Sequence, residues 1–182
     1  MTRFVLHTAT SAPLEAQNRI ETVLQNNGFI PNLIGVLANA PTALEMYQEV
    51  GKINVRTSLT AAEIEVVQIT AAKINECAFC IAGHTKISKL KKLFSDEILI
   101  AIRNTEDFQA LDEKLNALAR FTIAVMLNKG AVDDESLSEF FTMGYTEQQA
   151  LEVVLGIALA TLCNYTNNLA QTIINDELKD FA

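Results

Sequence analysis

The 182-residue chain has no tryptophan, seven glycines, three prolines and three cysteines, and its 14 Lys and Arg are outnumbered by 22 Asp and Glu. So little Gly and Pro excludes collagen-like, low-complexity and linker-dominated chains. An odd number of cysteines is not the disulfide framework of a small secreted protein, so a reducing, cytoplasmic setting is expected. A net charge of −8 argues against a general nucleic-acid binder, which needs clustered Lys and Arg to meet phosphate. The apolar run Phe4-Val5-Leu6 is too short for a signal-peptide core. The stretch Val153 to Cys163 falls short of the roughly 20 residues that span a bilayer, so no membrane partner is expected.

What is present is helical pattern. Apolar residues recur at helical spacing almost throughout, and strand-like alternation of useful length is missing, which predicts an all-α fold. At this length one domain with a sizeable core suffices. It divides into an N-terminal arm and helices over about 1–58, a central segment over about 59–95, and C-terminal helices over about 96–182. Residues 1–12 carry little pattern and read as an arm. Pro13 opens a helix that Asn26-Asn27-Gly28 stops; Pro31 opens a short apolar segment from Leu33 to Ala38, and Pro41 a third helix. Thr60 and Glu63 stand at capping-box spacing ahead of Ile64, Val67, Ile69 and Ile74. Ser95-Asp96-Glu97 caps a further helix, Leu111 to Leu127 is amphipathic, and Asp133-Asp134-Glu135 and Thr146 start the last two. The final helix is expected to run from Glu147 towards Lys179, with a break near Asn164.

The chemistry-bearing stretch is Asn75-Glu76-Cys77-Ala78-Phe79-Cys80-Ile81-Ala82-Gly83-His84. At about 100° per residue, Cys77, Cys80 and His84 fall within roughly 60° of one another on a helix. Two thiols near enough to form a disulfide, with a base one turn on, suit redox work. Zinc would need a fourth ligand, and only Cys163 and His7 remain, both remote in sequence. Cys163 lies in an apolar run and reads as a buried, inert thiol; Tyr47, Phe29 and Phe121 read as core. Lys86, Lys89, Lys91 and Lys92 read as a solvated helix end. Glu65 precedes Cys77 by twelve residues, about 18 Å along an unbroken helix, so it can act only if the chain folds back. A break near Asn75, a good capping residue, is expected to supply that fold-back. Without it, Glu63 and Glu65 are helix-start carboxylates.

Sliding the chain so that Glu65-Val66-Val67 falls on Glu152-Val153-Val154 sets Cys77, Cys80 and His84 on Asn164, Asn167 and Gln171. A repeated helical unit would make residues 65–84 and 152–171 superpose.

Leu59-Thr60-x-x-Glu63-x-Glu65-Val66-Val67-x-Ile69 followed by Asn75-x-Cys77-x-Phe79-Cys80-x-x-x-His84 resembles the signature of the AhpD-like alkylhydroperoxidases of the carboxymuconolactone decarboxylase superfamily. The segment from Phe29-Ile30-Pro31-Asn32-Leu33 to Asn39-Ala40-Pro41 resembles the peroxidase-related branch. The resemblance implies an AhpD-like helical bundle with an internal pseudo-repeat of helix pairs, assembled as a homo-oligomer, typically a trimer or hexamer. It implies a thiol-dependent hydroperoxide reductase without a bound cofactor, whose catalytic set matches Glu65, Cys77, Cys80 and His84. Electrons would come from an external dithiol reductant, which in relatives is a lipoyl-bearing protein. The relay implied by the family deprotonates the cysteine nearer the histidine, so Cys80 is assigned as the attacking thiol that becomes the sulfenic acid and Cys77 as the thiol that closes the disulfide. A first-turn position favours Cys77 instead, so the pairing is firmer than the order. The residue before the second cysteine, often Tyr, is Phe79 here. Two other readings use the same residues. One is a redox sensor or disulfide-exchange protein with little peroxide turnover; the other is a decarboxylase-type lyase, whose members generally lack the dithiol.

Overall fold

The computed structural model describes residues 2–110 and 112–182. Among them nine α-helices follow one another: α1 Leu14–Asn27, α2 Asn32–Leu37, α3 Pro41–Asn54, α4 Ala61–Ile74, α5 Ala78–Leu90, α6 Asp96–Asn104, α7 Glu113–Leu127, α8 Asp134–Thr142 and α9 Glu147–Ala170. A 3₁₀ segment, Asp176–Phe181, closes the chain, and no strand occurs among the described residues. The all-α expectation holds. The expected start of the amphipathic helix at Leu111 lies outside the described residues; α7 is capped by Asp112, whose carboxylate accepts from the Leu115 N–H at 2.9 Å.

Helix starts follow local chemistry. Thr60 accepts from the Glu63 N–H at 3.2 Å while the Glu63 carboxylate accepts from the Thr60 N–H at 2.7 Å, completing the capping box. Thr146 repeats the box with Gln149 at α9, while Ser95 and Asp133 cap α6 and α8 by accepting from the Ile98 and Ser136 N–H groups. Helix ends are less regular. Gly28 stops α1 at φ +77° as expected, but α4, α5, α6, α7 and α9 end at Glu76, Lys92, Thr105, Lys129 and Gln171, all left-handed at φ between 49° and 57°. In each, the next residue's N–H reaches back five positions, as Cys77 does to the Ala72 carbonyl at 2.8 Å. A glycine-poor chain thus makes the glycine turn with ordinary residues.

Two apolar clusters fill the interior. One gathers α1, α2, α3 and the start of α5 around Ile20, Leu37, Leu44, Phe79 and Leu159; the other gathers α6, α7 and α8 around Leu118, Phe121 and Phe140. Helices α4 and α9 run through both, contributing Val66, Val67 and Val153 to the second cluster and Ala72 and Cys163 to the first. They cross closely at Gly156, where a Cβ would stand 3.0 Å from the Val67 side chain, and the Gln68 amide donates to the Gly156 carbonyl at 2.9 Å. The N-terminal arm is tied down, since the Arg3 N–H donates to the Ala170 carbonyl at 2.7 Å and His7 to Gly35 at 3.1 Å.

Two expectations are corrected. Helix α9 does not break near Asn164: the Asn164 side chain accepts from the Asn75 amide at 3.0 Å, so a buried polar group has its partner and the helix continues to Ala170. The proposed equivalence of 65–84 with 152–171 fails for the same reason, because the first is a helix, turn and helix while the second is one unbroken helix. Helix α9 is also the one helix among the described residues long and apolar enough to cross a membrane by length and composition, with 33% of its apolar window buried.

Candidate active site

The dithiol lies at the turn between α4 and α5. Asn75 ends α4, Glu76 takes the left-handed conformation, and Cys77 becomes the N-cap of α5. The expected break is therefore present, and it reverses the chain. Glu65, on the second turn of α4, comes back beside His84 on the second turn of α5. Its carboxylate Oε2 accepts from His84 Nδ1 at 2.7 Å. A carboxylate can only accept, so the proton on the imidazole is fixed at Nδ1 and Nε2 is left to gain or lose one. The Glu65 side chain is 7% exposed and that of His84 27%, so the pair runs from the interior towards solvent.

Cys77 and Cys80 are both buried free thiols. The Cys80 backbone N–H donates to Cys77 Sγ at 3.4 Å, as an N-cap requires. Charge therefore divides unequally between them. The Cys77 thiol is lowered from its ordinary value of 9.0 to about 7. The Cys80 thiol donating to it is the largest cause; the Cys80 N–H, the Asn167 amide and the His84 charge add to this, and burial opposes. Cys80 is raised, first by that same thiol–thiolate bond and then by burial and the Cys77 charge.

The wall opposite comes from α9 and α3. The Asn167 amide donates to Cys80 Sγ at 3.2 Å, and Asn168 donates to the Asn75 carbonyl at 2.6 Å. Cys163 is buried, its thiol pushed up to about 12 by desolvation and then by the Cys77 charge. Tyr47, read from sequence as core, packs into the same cluster, and its hydroxyl is raised by burial and then by the charges of Cys163 and Cys80. A cleft of about 470 Å³ opens beside the turn, with Ala78, Phe79, Asn167 and Ile174 on its walls and Glu76 at its edge. Asn164, Asn167 and Tyr47 are the neighbours that sequence reasoning did not assign to the site. The available signal was three asparagines at i, i+3 and i+4 in an otherwise apolar helix. The lysine cluster lies at the far end of α5, where Lys86 sits 5.1 Å over the part-buried Phe29 ring and Lys89 pairs with Asp96 at 2.8 Å.

Fold and site together define an all-helical dithiol protein, a Cys-x-x-Cys turn backed by a carboxylate–imidazole pair. The chain belongs to the carboxymuconolactone decarboxylase family, whose sequence profile matches residues 41–135 and so takes in Glu65, Cys77, Cys80 and His84. Among solved structures it is similar to an AhpD-core, peroxidase-related protein of Ralstonia eutropha JMP134, with 20% identity, TM-score 0.86, and 97% of this chain and 94% of that one covered. A peroxidase-related protein of Silicibacter sp. TM1040 matches with 15% identity, TM-score 0.80, and 97% and 93% coverage. The debrominase Bmp8, in a Cys→Ala variant holding 2,3,4-tribromopyrrole, matches with 19% identity, TM-score 0.77, and 100% and 96% coverage. At these identities the likeness establishes the AhpD-like fold. No curated protein sequence matches the chain.

Proposed function

We propose that the protein is a thiol-dependent hydroperoxide reductase working through Cys77 and Cys80, without a bound cofactor. The observation that carries this reading is the joining of a low-pKa thiol at a helix N-terminus to a second thiol three residues on, beside a carboxylate-bound imidazole. The Cys77 thiolate attacks the terminal oxygen of the hydroperoxide; the O–O bond breaks, and the departing alkoxide leaves as alcohol after taking a proton relayed by His84. Cys80 then attacks the Cys77 sulfenic acid, water departs, and the intramolecular disulfide forms. An external dithiol, free or carried on a lipoyl-bearing protein, returns the two electrons. The balance is one hydroperoxide and two thiols in, one alcohol, one water and one disulfide out.

The family relay makes Cys80 the attacking sulfur, whereas the charge distribution at the turn favours Cys77. Reduced protein mixed with one equivalent of organic hydroperoxide in the presence of a sulfenic-acid trap separates the two. Cys80→Ser is expected to consume peroxide once and carry the trap on Cys77, and Cys77→Ser to do neither. The reverse pattern restores Cys80 as the attacker, and wild-type protein that neither consumes peroxide nor forms the disulfide overturns the peroxidase reading. Running a brominated pyrrole in place of peroxide tests whether the same dithiol reduces a carbon–halogen bond, the chemistry for which one structural relative is named.

A further inference from the structure

Asn167 is 3% exposed and sits on α9, outside the stretch that matches the family profile. Its amide nitrogen donates to Cys80 Sγ at 3.2 Å, while its amide oxygen is buried with no hydrogen-bond partner. Leaving that acceptor unmatched is unfavourable. The flanking asparagines differ in this respect: Asn164 is bonded to the Asn75 side chain and Asn168 to the Asn75 carbonyl. The three occupy positions i, i+3 and i+4, so one face of α9 grips the turn through Asn164 and Asn168 and brings the side chains of Asn164 and Asn167 to the Cys80 sulfur. An apolar residue of similar size would fill the space without the unmatched oxygen, so packing alone does not account for an asparagine there.

We infer that Asn167 is a positioning residue of the dithiol, whose amide N–H is a fixed donor to Cys80 Sγ. In the reduced protein it polarises the Cys80 thiol, which in turn donates to the Cys77 thiolate, so the donors run from Asn167 to Cys80 to Cys77. When Cys77 becomes the electrophile and Cys80 must lose its proton to attack it, the same N–H lies against the sulfur where charge develops. The lowered Cys77 thiol is consistent with this, the Asn167 amide being one of its causes. The other titratable groups facing the pair are His84 on α5 and, through it, Glu65 on α4, with Tyr47 on α3 and Cys163 on α9. The neutral donors to Cys80 are the asparagines of α9, Asn167 at 3.2 Å and beside it Asn164.

The inference rests on Cys77 and Cys80 acting as a dithiol, but not on which oxidant they meet, so its test uses no peroxide. In Asn167→Leu, nearly the same size without the donor, the thiolate absorbance of reduced protein near 240 nm is titrated, and the dithiol is equilibrated against glutathione buffers. The expected results are a Cys77 midpoint raised by about one unit and a thiol–disulfide equilibrium displaced roughly tenfold towards the disulfide, because the reduced form has lost a stabilising bond. Asn167→Ala is measured in parallel in case the leucine variant does not fold, with the same direction expected. A midpoint within 0.3 unit of wild type in a variant that folds, whatever its loss of thermal stability, overturns the assignment and leaves Asn167 a packing residue. Failure of the wild-type dithiol to form a disulfide in any glutathione buffer overturns instead the functional reading on which it rests.

Discussion

At the scale of single residues the site is a problem of where one negative charge resides. Cys77 holds it chiefly because the Cys80 thiol donates to it, and its N-cap sulfur also accepts from the Cys80 N–H that opens α5. The reactive species is the thiolate, so the first-turnover rate with hydroperoxide is expected to rise with pH through about 7 and level off above it, as stopped-flow measurements across pH can check. His84→Ala removes the imidazole that is one of the causes lowering the Cys77 thiol, so its profile is expected to move to higher pH. Glu65→Gln removes the carboxylate that accepts from His84 Nδ1 and orients the ring; a loss of roughly 100-fold at neutral pH is expected. A rate that falls while the midpoint stays put would assign Glu65 to orientation alone. Cys77, Cys80 and His84 were legible as a group because their spacing is local, whereas Glu65 was named through the family resemblance and needed the fold-back that the turn after α4 supplies. Asn167 and Tyr47 were not, because they arrive from α9 and α3 and nothing near them in the chain names a sulfur.

At the scale of elements, what could be read was whatever the backbone decides within a few residues. Thr60 with Glu63, Ser95, Asp133 and Gly28 each meet an orphan backbone group close at hand, and each appears where its chemistry puts it. The left-handed helix ends were hidden because Glu76, Lys92, Thr105, Lys129 and Gln171 are not glycine. Such a conformation costs an L-residue roughly 1–2 kcal/mol, partly offset by the lower backbone entropy of a non-glycine in the unfolded chain. Glu76→Gly is therefore expected to be neutral or to stabilise by up to about 1 kcal/mol in urea denaturation. Glu76→Val, which adds a β-branched side chain at φ 53°, should destabilise by more than that. Equal destabilisation by both would show that the Glu76 side chain, rather than the turn, is what matters. Gly35 presents the opposite case: its φ is ordinary, but a Cβ there would stand 2.9 Å from the His7 carbonyl oxygen. Gly35→Ala should release the arm at a cost of about 1–3 kcal/mol, seen as protease cleavage within residues 2–12.

At the scale of the whole molecule, α9 packs against α2, α3, α4, α5 and α7 and joins the two halves of the core. One side enters both apolar clusters and carries Asn164, Asn167 and Asn168 against the dithiol turn. Another side carries Leu151, Val154, Tyr165 and Leu169, which are 72%, 47%, 61% and 61% exposed. Their spacing keeps them along one face for almost the full length of the helix. A continuous apolar face of that length left in water is costly, and covering it with the same face of a second copy is the simplest closed solution. The homo-oligomer implied by the family resemblance is accordingly expected to use α9. Sedimentation of wild-type protein should give a multiple of 20.0 kDa, and Leu151→Glu combined with Val154→Lys should give the monomer. Those two positions lie at the end of α9 remote from Asn167, so a drop in disulfide-forming rate on dissociation would mean that assembly stiffens the helix that holds the redox turn. An unchanged rate in the monomer would mean that each chain holds its own site unaided. Wild-type protein sedimenting at 20.0 kDa would remove α9 as an interface between copies, and flotation with lipid vesicles would then test whether the apolar face meets a bilayer surface instead.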